Sequence, residues 1–197
     1  MKKVFSTLMV IVLTFGCLTG CSNKKAFEQA EIVRVLKKYG LEQSDSYLDV
    51  YRTNYRSGGR FFITEDEDDA KEIADVNYSM KSVLASKIEE DVDDRYTATS
   101  YVLLCSFEDS NDAEEQFVNS VDDLTRTRDA EYGEKNGYQY VCYTLSYDNY
   151  DLVYKHAIYL CGNNILIIYC DCHEDGKTGF GNYIFKELGL FEPKAKD

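Results

Sequence analysis

Residues able to do chemistry are few here, so their spacing decides much. The chain has two histidines, His156 and His173, and seven cysteines. Cys105, Cys142, Cys161, Cys170 and Cys172 all fall in stretches that read as strands. Five is odd, so at least one thiol must stay outside any intrachain disulfide. Cys170 and Cys172 stand two apart and share a strand face, which is poor geometry for a mutual disulfide. A disulfide from Cys142 or Cys161 to a neighbouring strand stays open. If the turn around Gly162 takes residues 162–164, His156 lies opposite Cys170. If the loop before it takes 148–150, Cys142 also lies opposite His156. Cys142, His156 and Cys170 would then form a row suited to Zn²⁺ or to thiol–imidazole catalysis. A two-residue loop in either hairpin slips the pairing by one and puts the partners on opposite faces. Val141, Tyr143 and Leu145 are the more apolar face of their strand and exclude Cys142, and buried cysteine is an ordinary small hydrophobe. We therefore expect core cysteines, with no metal, no cofactor and no catalytic cluster.

The other candidates are weaker. Acidic runs at 65–69, 89–94 and 108–112 lack the Asp-x-Asp-x-Asp-Gly order of a calcium loop. Two of them open helices, where carboxylates favour the helix dipole without any ligand. Seventeen tyrosines and no tryptophan could line a sugar or peptide groove. Tyr138, Tyr140, Tyr150 and Tyr154 alternate as strand residues do, however, and are expected to be structural. Phosphate-loop, dinucleotide, Gly-x-Ser-x-Gly and His-Glu-x-x-His patterns are missing.

The N-terminus carries the most specific pattern. Met1-Lys2-Lys3 is followed by an apolar stretch from Val4 to Phe15, which suits a secretory signal and is too short for a membrane span. Leu18-Thr19-Gly20-Cys21 follows, and it resembles the lipobox of bacterial prolipoproteins. The resemblance implies cleavage after Gly20 and diacylglyceryl attachment at Cys21. The protein would then be held on the extracytoplasmic face of the cell membrane. It divides the chain into a signal peptide (1–20), a lipidated Cys with a short tether (21–25) and a single domain (26–197). With Lys2 and Lys3 removed, 20 basic residues face 35 acidic ones, a net charge of −15. Such acidity excludes nucleic acid as a partner, because phosphate backbones reward Lys and Arg.

These residues must be positioned by the elements around them. Residues 27–39 have helical spacing, with Gly40-Leu41 as a C-cap. Residues 42–59 fit an irregular loop or a strand from Tyr47 to Tyr55. A strand from Arg60 to Thr64 precedes a helix expected to run from the acidic run at 65–69 to about Ser86. A polar break, a strand from Thr99 to Phe107 and a helix opening at Asp109 follow. Strands at 138–147, 152–161 and 165–172 form a C-terminal meander, and a last helix ends at Gly189-Leu190. The order implies an α+β domain: a mostly antiparallel sheet of about four to six strands, with about four helices on one face. The layout loosely resembles small lipoproteins of unknown function from low-GC Gram-positive bacteria. Its expected role is binding a protein or cell-envelope partner. The alternatives are a small thiol- or metal-dependent enzyme using His156 with Cys142 or Cys170, and a purely structural envelope component.

Overall fold

The computed structural model describes residues 27–54, 56, 58–93, 96–147, 152–173 and 179–194. Gly20, Cys21, the tether at 21–25 and Tyr150 lie outside them. Helix α1 (Gln29–Lys38) buries Ile32, Val35 and Leu36 and carries Lys37 and Lys38 in its last turn, where cations oppose the dipole. Gly40, at φ 97°, closes it in a Schellman motif. Leu41 N donates to Leu36 O and Gly40 N to Lys37 O, both at 3.0 Å. The last helix, α5 (Phe180–Glu187), ends the same way through Gly189 and Leu190.

Between them lie β1 (Glu42–Gln43), α2 (Tyr47–Tyr51), β2 (Arg60–Thr64), α3 (Glu67–Ala74), β3 (Met80–Asp93), β4 (Tyr96–Phe107), α4 (Ser110–Thr127), β5 (Glu131–Lys135), β6 (Tyr138–Tyr147), β7 (Leu152–Cys161) and β8 (Asn164–His173). Eight strands form one sheet in the order β1-β2-β3-β4-β8-β7-β6-β5. Only the β1–β2 pair is parallel. The domain is therefore α+β with a mixed, mostly antiparallel sheet, but the expected four to six strands and four helices are eight and five among the described residues.

Helices also cover both sheet faces, not one. On the first face α1 and α5 pack Ile32, Leu36, Phe180 and Ile184 against Phe61, Leu104, Tyr159 and Leu166. On the second, α3 and α4 pack Ala70, Ala113 and Phe117 against Val83, Cys105, Ile158 and Ile165. This double covering explains the largest departure from expectation. Asp66 caps α3 through the amides of Asp68 and Asp69, both at 3.1 Å. The helix stops at Ala74, with Asp75 left-handed at φ 53°. The stretch expected to continue the helix to Ser86 begins β3 instead. A strand buried on both sides is apolar at consecutive positions, so Met80, Val83 and Leu84 copy helical spacing. In the structure Val83 and Leu84 point to opposite faces. Residues 42–59 supply β1 and α2, and the expected loop through Gly133 is the edge strand β5.

Candidate functional site

Pairing register settles the Cys–His row. The β7–β8 turn contains only Gly162 and Asn163, because Cys161 pairs with Asn164, and Gly162 takes the positive φ of 61° that the first place of such a turn requires. In β6 and β7, Tyr147 pairs with Leu152. Both hairpins are thus one step off the register that the row needs. His156 pairs with Tyr143 and Tyr169, whereas Cys142 faces Ala157 and Cys170 faces Lys155. His156 lies on the second sheet face, and Cys142 and Cys170 lie in the core of the first. Cys142 is accordingly a core residue, although its strand's other face reads as more apolar. Among the described residues no group of three His, Cys, Asp or Glu side chains could hold a metal, and no disulfide forms.

The acidic runs act as local structure. Asp109 caps α4 through Asn111 N at 2.8 Å. Glu90 binds α5 through Phe180 N and takes the Tyr39 hydroxyl, both at 2.7 Å. Tyr138 and Tyr140 are buried in the first-face core, as structural tyrosines should be.

A different set of tyrosines shapes the surface. Helix α4 starts beside Phe107 and covers only one end of the second face. Beyond it lies a cavity of about 250 Å³. Its floor is Ala85, Leu103 and Ile167, and its walls are Tyr47, Val50, Tyr51, Ile73, Tyr101 and Tyr169. Tyr51 is 67% exposed and forms an outer lip. Lys87 enters the wall with its ammonium held by Thr53 O at 2.9 Å and Glu89 Oε1 at 2.6 Å. It also lies 5.9 Å from the Tyr101 ring.

From the cavity an aromatic strip crosses the strands. Tyr101 meets Tyr169 edge-on at 5.6 Å, and Tyr169 meets Tyr154 at 4.4 Å. Tyr154 reaches Tyr143 at 5.8 Å, and Tyr143 meets His156 at 5.3 Å. These rings belong to β4, β8, β7 and β6, which are successive in the sheet. Strands are spaced about 4.8 Å apart, so the strip spans roughly 15 Å. Burial, and hydrogen bonds that the Tyr154 hydroxyl donates to Tyr143 and Tyr169, push its phenol far above its ordinary pKa. Burial pulls His156 down to about 4, leaving a neutral ring at neutral pH. Tyr154 is itself buried, as expected of a structural tyrosine, and the exposed Tyr101 and Tyr169 with the half-buried Tyr143 offer amphipathic rings.

Tyr101 and Tyr169 are the residues that sequence reading missed. Each stands on its strand face between an apolar and a polar residue, Tyr101 between Leu103 and Thr99 and Tyr169 between Ile167 and Asp171. That pattern signals a sheet face passing from core to surface. The fold and groove define a class: a three-layer α+β domain presenting an open aromatic groove on its central sheet. The chain matches no protein-family model, no curated protein and no solved structure.

Proposed function

We propose that the chain is a lipid-anchored extracytoplasmic domain that binds, through this groove, an apolar or aromatic side chain on a basic protein surface. The observation that carries the reading is an apolar floor with tyrosine walls, left open on a sheet covered elsewhere. Amphipathic rings around a small apolar cavity are what recognition surfaces use. Lys87 is already held by Glu89 and backbone carbonyls, so the wall offers no uncommitted cation to an anionic ligand. The body charge of −15 favours a cationic partner and speeds its encounter. The alternative of a thiol or metal enzyme using His156 with Cys142 or Cys170 loses support, since His156 lies on the opposite face of the sheet from both.

Anchoring at Cys21 fits the placement of the groove. The described chain starts at Phe27, whose carbonyl accepts from Asn164 Nδ2 at 3.4 Å. Tyr169 lies five residues further along β8, or about 16 Å, and on the other face. The groove thus lies away from the tethered end, where a partner outside the bilayer can reach it.

A photo-crosslinking residue at Tyr101 tests this on intact cells, with the same residue at exposed Glu114 on α4 as the reference. The expected result is an adduct specific to position 101 that weakens with rising salt and with Tyr169→Ala. Identical adducts from both positions would overturn the groove assignment.

A further inference from the structure

We propose that Cys170 and Cys172 form a two-sulfur site for a soft monovalent metal ion, Cu(I) or its analogue Ag(I), on the first sheet face. The proposal stands independently of the groove. The two Sγ atoms lie 3.4 Å apart in the core. Their residues are i and i+2 on one strand, so their Cα atoms are about 6.7 Å apart, at the upper limit for a disulfide. A metal between the sulfurs suits that spacing better. Two metal–sulfur bonds of about 2.3 Å laid in line need the sulfurs roughly 4.6 Å apart. Small χ1 rotations about the two Cα–Cβ bonds supply that opening without moving the backbone.

The donor set selects the ion. Zn²⁺ asks for four ligands, and no third metal-binding side chain joins this pair among the described residues. Soft thiolates favour Cu(I), which accepts two-coordinate binding. Binding forms two metal–sulfur bonds and releases two thiol protons to solvent. The metal keeps its oxidation state, and the complex carries one negative charge.

The surroundings suit an anionic sulfur. Cys170 is flanked in register by Ser100 on β4 and Lys155 on β7. The Ser100 hydroxyl is buried without a hydrogen-bond partner, and a thiolate on the facing residue would give it an acceptor. Lys155 is a buried cation held by Asn182 and Glu192. Its charge would offset the negative charge of a two-thiolate complex beside it. Gly181 on α5 closes the roof, since a Cβ there would stand 2.6 Å from Cys172 Sγ and 2.9 Å from Cys170 Sγ.

The test titrates the reduced, detergent-solubilised full chain with Cu(I) in the absence of oxygen, against a bathocuproine chelator. The wild type and Cys105→Ala should each withhold one ion per chain. Folded Cys172→Ala should withhold none. If that variant does not fold, copper X-ray absorption of the loaded wild type decides, and a shell of two sulfurs alone is expected. No copper withheld by the wild type, retention unchanged in folded Cys172→Ala, or a shell containing nitrogen or oxygen would each overturn the proposal.

Discussion

Burial among Tyr143, Tyr169 and their strands holds His156 near pKa 4, against an ordinary value of 6.5. The unfolded chain therefore takes up a proton between pH 6.5 and 4 that the folded chain resists. The stability tied to this residue is complete above pH 6.5 and is lost as pH falls towards 4. A shift of that size corresponds to about 3 kcal/mol. His156→Phe keeps a ring between the two tyrosines and removes the titration. Its stability relative to wild type, from urea unfolding, should improve by about 3 kcal/mol between pH 7 and pH 4. A stability difference that stays constant with pH would show that His156 charges freely in the fold. Cys105, which burial pushes up to about 12, should stay a thiol throughout this range. Residue types were legible in the sequence at this scale, but faces were not. Cys142, His156 and Cys170 could be brought near one another by strand order. Which face each took depended on two loop lengths, and one residue in each reversed the answer.

Elements that declare their own ends were the easiest to read. Gly40-Leu41 and Gly189-Leu190 mark two helix ends through a positive φ and a following apolar residue, and the meander strands are set off by turn residues. β3 was hidden because covering on both faces erased the alternation that identifies a strand, while the acidic start of α3 gave a true helix signal nearby. The segment after α5 has no regular structure, yet it is tied closely to the first face. Phe191 stacks on Tyr140 at 4.4 Å, and its amide donates to Tyr138 OH at 2.7 Å. The buried Tyr159 hydroxyl donates to Phe191 O, and Glu192 holds Lys155. A chain ending at Leu190 leaves the Tyr159 hydroxyl and the Lys155 ammonium short of partners. Each orphaned buried group costs about 1–3 kcal/mol, and the lost stacking adds to this. The truncated protein should melt about 10 °C or more below the full chain, at roughly 2–4 °C per kcal/mol for a domain of this size. A drop under about 2 °C would mean that this segment lies on the core without supporting it.

Charge and tether act on the molecule as a whole. With cleavage after Gly20 the chain would carry −15 and be repelled by anionic head groups, so electrostatics would not hold it on a membrane. Lys24 and Lys25 add only about 1 kcal/mol each near such a surface. On the proposed anchoring at Cys21, attachment would come from acyl chains, at about 0.8 kcal/mol per buried methylene. These two sources respond to salt in opposite ways. Attraction through lysines fades as ionic strength rises, whereas acyl burial does not. Raising salt also screens the body's repulsion and so strengthens retention. Wild-type protein should therefore stay with the membrane fraction through molar salt and leave it only with detergent, and its mature N-terminal peptide should carry a diacylglyceryl mass on Cys21. Cys21→Ala should lose that mass and either keep residues 1–20 or pass into the medium. Release of the wild type by salt alone, or a soluble chain with its first twenty residues intact, would remove the anchor. The orientation argued for the groove would be removed with it, because that orientation follows from the chain being held at the Phe27 end of the sheet.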